Sequence, residues 1–523
     1  MKKESPKTAS VTALIGGAYL AMLGTALPLT VHSAYFDVTR TKALVFWVLG
    51  GILAAAAALL HALRREDREK LAPLRAEDVF FAVFALCQIV STLVFRGAAG
   101  LLAADNRYQG VLSFALYLCV FLLLRRGGGL CSGARFGLLL GPSLAAAICI
   151  LNYFGADPLG LRAVTPEEEL PRFMSTVGNI SFLSALFVLT LPLPAFLAIS
   201  ADRPRDAVPL VLCALLALWG GMAARAESFV LGALAFLTLC PIVCREAALL
   251  RRIPLLWGGT AAAAGIFAAA ARCWGLYRLS DLTRLICEPW LLAAVVLVSA
   301  ALRLFLRKGP DRRALMFRKV YIIIFLCCLA AGLVLTVLAN TVLRGSFGGT
   351  LGSVLVFSPS WGTDRGAVWA AFWEMFKSSG PLQKLIGSGA GAAAEWDRAH
   401  RVFSDAVTDN AHNEYLHYLL SAGIIGLMSY LAVLVLAARR ALRGAGRTET
   451  ALLLACSAYA VQAAVNIAQP FTTPLFFAML ALLCAESREN DGRRIFGDAE
   501  TFSRVLFVGV AAALLIAAAA AAR

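Results

Sequence analysis

The stretch NAHNEYLHYLLSAGIIG, Asn410–Gly426, sets a polar mouth directly before an apolar run that continues to about residue 438. At a rise of about 1.5 Å per residue such a run is long enough to cross a hydrocarbon core of about 30 Å. It reads as a membrane helix with an ionisable imidazole at its water-facing end. Spaced at about 100° per residue, His412, Leu416, Leu419, Gly423, Gly426 and Tyr430 fall on one stripe, while His417 lies about 140° around. The two glycines then sit beneath His412, where another helix packs closely. Asp409 or Asn410 reads as the N-cap, which places His412 and Asn413 in the first turn, where the positive end of the helix dipole disfavours imidazolium and attracts anions. A neutral histidine beside an anion site is what a general base acting on a phosphorylated substrate requires. Taken alone, the segment also fits a capping histidine above a packing glycine pair.

The surrounding chain fixes the class. Of 523 residues, 60% are hydrophobic, more apolar sequence than a soluble core absorbs, so the chain reads as an all-α polytopic membrane protein. Spans are expected near 11–31, 43–63, 78–95, 109–124, 136–154, 177–200, 207–222, 227–244, 255–271, 285–306, 320–342, 413–438, 449–468, 471–485 and 505–522. That gives about 14–15 transmembrane helices. The first follows Met1-Lys2-Lys3 but is long and is succeeded by polytopic sequence, so it reads as an anchor and not a cleaved signal. Three regions follow: an N-terminal transmembrane bundle over 1–342, a long loop over 343–412, and C-terminal transmembrane helices over 413–523.

The formal charge of +16 does not make a nucleic-acid face, because the basic residues sit in short loops between spans. With the N-terminus inside, alternate loops collect Arg64, Arg65, Arg68 and Lys70, then Arg125 and Arg126, Arg245, Arg251 and Arg252, Arg307 to Lys319, Arg439 to Arg447, and Arg488 to Arg494. The positive-inside rule makes these loops cytoplasmic and the 343–412 loop extracytoplasmic in a multi-pass protein. The 13 cysteines lie mostly within spans with no paired spacing, so they read as small buried hydrophobes. No metal motif, nucleotide-binding loop or long internal repeat is present in the sequence, and neither metal nor cofactor is expected.

Ionisable residues at a membrane boundary need a reason to be there. Arg225 lies in a very short outer turn, with Glu227 as a candidate partner, and snorkelling to the interface is its plain structural reading. In TDRGAVWAAFWEMFKSSGPLQKLIGSGAG, residues 363–391, Arg365, Trp369, Phe372 and Phe376 recur at helical spacing. Arg365 therefore begins an amphipathic helix, expected to lie against the membrane surface. Gly380-Pro381 ends it. Gly387, Gly389 and Gly391 then offer a backbone able to approach a phosphate, although glycines in this pattern also make ordinary turns. Asp364, Asp405, Asp409 and Glu414 are outer acids that could orient His412 or bind substrate hydroxyls, Asp405 and Glu414 reading more simply as solvated loop charges. Arg40, Lys42 and Arg107 are outer basic residues able to help hold an anion, though an interfacial role suits each.

In this order, these elements resemble the O-antigen ligase/polymerase superfamily of bacterial membrane glycosyltransferases. His412-Asn413, nine residues, then Gly423-Ile-Ile-Gly426 resembles that family's hallmark at the start of a late membrane helix. Arg365, Trp369, Pro381-Leu382 and Gly387-Ser388-Gly389 resemble its arginine-led helix and glycine-rich turn. Arg225 looks like its mid-chain arginine, with Ala224 where serine is usual. Weaker likenesses are FMSTVGNISFLSALF around Gly178-Asn179 and NRYQG at Asn106–Gly110. The resemblance implies a GT-C-like fold and an inverting, metal-independent transferase at the outer face of the cytoplasmic (inner) membrane. The donor it implies is a glycan on undecaprenyl pyrophosphate. His412 would be the catalytic base, Arg225 and Arg365 the donor-pyrophosphate ligands, and Asn413, Asp409, Gly423 and Gly426 the supporting residues. The extra spans around 255–306 and the one after Asp498 depart from the family's usual dozen or so.

An O-antigen ligase joins a finished glycan to an acceptor hydroxyl on a glycan or lipid, a polysaccharide polymerase joins one lipid-linked repeat to another, and a protein O-oligosaccharyltransferase uses a serine or threonine. Their shared chemistry leaves all three open. A lipid-glycan flippase or transporter is the contrasting class, but it places functional charges near the bilayer midplane, whereas these gather at one face. The partners expected are the lipid-linked donor, a hydroxyl-bearing acceptor and the bilayer, with no nucleic acid.

Overall fold

A computed structural model describes residues 11–63, 74–102, 107–127, 132–348, 352, 354–400, 408–444 and 446–485. The architecture is an all-α polytopic membrane bundle. Its first half comprises α1 (Val11–Leu29), α2 (Val38–Leu63), α3 (Ala76–Arg96), α4 (Val111–Gly127), α5 (Ser132–Tyr153), α6 (Ile180–Thr190), α7 (Pro192–Ser200), α8 (Pro204–Ala223) and α9 (Glu227–Val243). The short α10 (Ala247–Leu250) leads to α11 (Ile253–Trp274), α12 (Asp281–Ile286), α13 (Pro289–Arg307) and α14 (Asp311–Asn340). The long loop folds into α15 (Trp361–Ser378), α16 (Pro381–Ile386) and α17 (Ala392–His400), followed by α18 (Glu414–Gly444), α19 (Arg447–Ala463) and α20 (Thr472–Cys484).

Among the described residues, nine helices are long and apolar enough to cross a membrane, and three shorter apolar ones accompany them. Helices occupy each of the first fourteen expected spans, with α6 and α7 forming one rod across the Leu191–Pro192 step, where Pro192 opens α7. The expected span 505–522, Asn106, Asp405 and the basic residues at 64–70 and 488–494 lie outside the described residues. A short antiparallel pair, β1 (Phe173–Met174) and β2 (Gly178–Asn179), precedes α6, whose first turn is capped by Asn179 through a 2.8 Å bond from the Ser181 amide.

The core is one continuous apolar cluster knotted by aromatic rings. Phe81 and Phe84 of α3, Phe114 and Tyr117 of α4, Tyr418 and Tyr430 of α18 and Phe477 of α20 pack ring to ring. Thus α18, which starts at the end of the long loop, is seated directly on α3. By contrast α14 is almost wholly exposed along its second half, and its anchors lie near its start, where Arg318 and Tyr321 donate to carbonyls of α9. An apolar helix exposed all round is stable against lipid and not against water.

Among the described residues, Arg252, Arg318 and Arg447 gather at one end of the bundle and are used there. Arg252 donates to Ile199 O and Ala201 O, Arg447 to Ser200 O and Asp202, and Arg318 to Ile242 O, so guanidinium groups satisfy the last carbonyls of two helices, α7 and α9. Arg125 is buried against Asp78. The opposite end carries the long loop, whose own small core joins Val368, Phe372 and Met375 to Ala392, Ala393, Ala411 and Leu420. The apolar stripe of α15 is therefore covered by α17 and α18, not laid on the membrane surface as its pattern alone suggests. Hydrophobic periodicity shows that a face is buried without saying what buries it.

Candidate active site

Three neighbouring Asx residues compete to start α18, and tertiary contacts decide the outcome. Asp409 is taken by Arg107, whose Nε and Nη2 each meet a carboxylate oxygen at 2.8 Å. Asn410 turns back to accept the His412 amide at 3.1 Å. That leaves Asn413 as the cap, its Oδ1 accepting the Leu416 amide at 3.1 Å while its carbonyl accepts the His417 amide at 2.9 Å. The helix thus begins at Glu414, and His412 stands just outside it in the left-handed region at φ +49°. The expected first-turn position of His412 over a glycine stripe is corrected accordingly. A left-handed backbone at a non-glycine residue is strained, and such strain clusters at functional sites.

Burial, the positive charges of Arg365 and Arg107, and against them the weaker pull of Asp409, hold the His412 imidazole down to about 4. It is neutral at physiological pH. Both arginines are thus close enough for their fields to act on the ring. Glu414, expected as a solvated charge, is fully buried and accepts from Tyr430 Oη at 2.9 Å and Tyr459 Oη at 3.0 Å. As the first residue of α18 it faces the bundle, and the two phenols supply the hydrogen bonds that a buried carboxylate needs.

Gly423 breaks α18, with φ +71° and ψ −174°. The break frees Leu420 O and Ser421 O, which accept the Ser388 amide at 2.8 Å and the Gly389 amide at 3.1 Å. The Ala390 amide goes to Thr92 Oγ1 at 2.9 Å. The glycine-rich turn is therefore docked into the kink of α18, and the Ser388, Gly389 and Ala390 amides are spent on the protein instead of a phosphate. A Cβ at Gly423 would overlap Leu385 O, and one at Gly387 would overlap Ser421 O. Gly426, further on, packs against Cys87 of α3.

Arg365 starts the right-handed part of α15 after three successive left-handed residues, Gly362, Thr363 and Asp364. Its Nη1 donates to Gly362 O, while its Nε is buried without a hydrogen-bond partner. Burial lowers its pKa, opposed by the charge of Glu227. Glu227 is two residues beyond Arg225, so the head of α15 is near enough to the turn between α8 and α9 for the charge of Glu227 to act on Arg365. Arg225, itself left-handed at φ +58°, donates Nη2 to Pro171 O and holds its guanidinium carbon 4.5 Å from the Tyr277 ring centre. Its Nε is likewise buried and unpartnered, and burial lowers its pKa. Among the described residues, no carboxylate lies within ion-pair distance of Arg225 or Arg365. All of these groups stand at the end of the bundle opposite the basic one.

The remaining outer cations do not join them freely. Arg40 is exposed. Arg107 is neutralised by Asp409 and stacks 5.8 Å from Phe182. Lys42 is fully buried, and its Nζ donates to Leu27 O at 2.6 Å and to Pro28 O and Thr30 O at 3.1 Å. All three of its N–H groups thus close the C-terminal end of α1. Lys42→Met is expected to lower stability by about 1.5–3 kcal/mol through those orphaned carbonyls. Thermal unfolding in detergent measures the loss, and donor affinity should be unchanged.

No curated protein matches the chain. Residues 289–431, from α13 through the loop helices into α18, match the model of the family described as O-antigen ligase. That segment contains Arg365, His412, Asn413, Gly423 and Gly426, while Arg225 precedes it. With this match, on a polytopic helical bundle, the segment from α13 into α18 is similar to the O-antigen ligase family, in line with the resemblance read from the sequence.

Proposed function

We propose that the protein is an inverting, metal-independent glycosyltransferase of the ligase type. It moves a glycan from an undecaprenyl-pyrophosphate donor to an acceptor hydroxyl at the extracytoplasmic end of the bundle. The observation that carries this reading is a neutral imidazole under the field of Arg365, in a site where Arg225 and Arg365 have no carboxylate partner among the described residues. Partly buried guanidiniums without counter-ions are costly, and a pyrophosphate supplies both the charge and the acceptor oxygens they lack. Sidedness rests on the basic end, which lies opposite the site and faces the cytoplasm by the positive-inside rule.

The chemistry follows from these groups. The acceptor oxygen attacks the anomeric carbon, its proton passes to His412, and the bond from that carbon to the phosphate oxygen breaks with its electron pair. The leaving group is undecaprenyl pyrophosphate, which is weakly basic, so it needs cationic stabilisation more than protonation. Arg225 and Arg365 provide it through forked, permanently charged guanidiniums. An imidazole near 4 is a weak base on its own. A bound pyrophosphate raises it by opposing the field of the arginines, so the base gains strength when the donor is in place.

That coupling has a pH signature. Protonation removes the base, so rate should hold through neutrality and fall on the acid side. For kcat/KM, which reports the free enzyme, the fall is expected as pH drops through about 4. For kcat, which reports the donor complex, it should occur at higher pH. Coincident acid limbs for the two constants would show that the donor does not act on the base.

Purified protein in detergent tests the function itself. Transfer of glycan with release of one lipid pyrophosphate per event is expected, and since transport has no meaning without a membrane, inactivity there would favour a flippase. The ligase, polymerase and protein O-oligosaccharyltransferase readings share this chemistry, and they separate by which acceptor is consumed.

A further inference from the structure

We infer that Tyr277, carried by the connector between α11 and α12, is a positioning residue for Arg225, with Arg162 holding it in place. The inference rests on the reading of Arg225 as a ligand of the donor pyrophosphate. Tyr277 lies outside the matched segment, on a stretch that reads from sequence as an additional pair of spans.

Among the described residues, the Arg225 guanidinium has one hydrogen bond, to Pro171 O, and one aromatic face, Tyr277 at 4.5 Å. The choice of partner matters chemically. A carboxylate here would fix the guanidinium but cancel its charge and occupy the fork that an anion needs. An aromatic face attracts the cation through its ring quadrupole and leaves in-plane N–H groups open to a phosphate.

The tyrosine is itself held at several points. Its phenol oxygen accepts from Arg162 Nη2, and its carbonyl accepts Tyr153 Oη at 2.6 Å. The neighbouring Leu276 amide donates to Tyr153 O at 3.2 Å. Arg162 is anchored in turn, its amide on Asp157 Oδ2 at 2.8 Å and its Nη1 on Phe173 O at 3.3 Å, with its guanidinium carbon 5.5 Å from the same ring. Two guanidiniums therefore share one ring, and like charges stay this close only where the fold or an anion holds them.

Binding of undecaprenyl pyrophosphate, the leaving group without its glycan, tests this on the purified full chain. Arg225→Ala and Tyr277→Leu should each weaken binding by about tenfold, whereas Tyr277→Phe, which keeps the ring, should stay within about twofold of the parent. Because Tyr277 acts through Arg225, the double variant Arg225→Ala/Tyr277→Leu should bind no worse than Arg225→Ala alone. If the leucine variant does not fold, Tyr277→Met makes the same comparison. Parent-like binding by Tyr277→Leu beside a weakened Arg225→Ala, or additive losses in the double variant, would overturn the inference and leave the donor site standing. Parent-like binding by Arg225→Ala would overturn the donor-site reading and the inference with it.

Discussion

His412→Ala is expected to reduce glycan transfer by roughly 10²–10⁴-fold, the range a lost general base produces. The side chain lies just outside α18, so truncation removes no intrahelical bond, and the backbone contact to Asn410 survives. Expression and unfolding temperature should therefore stay near those of the parent. His417 is the natural comparison, because it sits five residues further on, inside α18, with its Nδ1 buried and unpartnered. His417→Ala should keep most activity. A loss through packing alone would affect His417 at least as much as His412, so unequal effects isolate the chemistry. Transfer at close to the parent rate by His412→Ala would return this residue to a structural role at the mouth of the helix.

Arg225→Ala and Arg365→Ala should each lower kcat by about 10²–10³-fold, as removal of a preorganised stabiliser of developing negative charge does. Lysine in either place keeps the charge but loses the planar fork, and a partial loss with normal membrane insertion is expected. Alanine should also raise the KM for the donor more than that for the acceptor, since both arginines are assigned to the pyrophosphate. The two sites differ in their support. Arg365 is tied to its own chain through Gly362, whereas Arg225 depends on Pro171 and Tyr277 from other segments. Full activity in both lysine variants would show that the geometry of the fork is unimportant.

The spans were legible in sequence because a bilayer demands long apolar runs, a signal that needs no tertiary knowledge. Arg365 as the head of a helix was legible too, from the spacing of Trp369 and Phe372 behind it. The start of α18 was not, because Asp409, Asn410 and Asn413 are all competent caps and only the contact with Arg107 removes the first of them. Glu414 was misread for a similar reason. The phenols that accept it into the interior lie 16 and 45 residues further along the chain. Gly423 and Gly426 share a motif but do different work, one breaking a helix to seat the Gly387–Gly389 turn and the other packing on α3. Lys42 looked like an outer cation until the unpartnered carbonyls of α1 appeared beside it. Tyr277 left no local signal at all, since its meaning comes from a ring meeting an arginine that is 52 positions earlier.

A direct displacement by an acceptor oxygen that His412 deprotonates must invert the anomeric centre, and the product linkage records this. The anomeric configuration of the newly formed bond, read by nuclear magnetic resonance on material made by the purified protein from a donor of defined configuration, is expected to be opposite to that of the donor. A retained configuration would require a covalent glycosyl intermediate, for which the roles proposed for His412, Arg225 and Arg365 make no provision, and would contradict the mechanism.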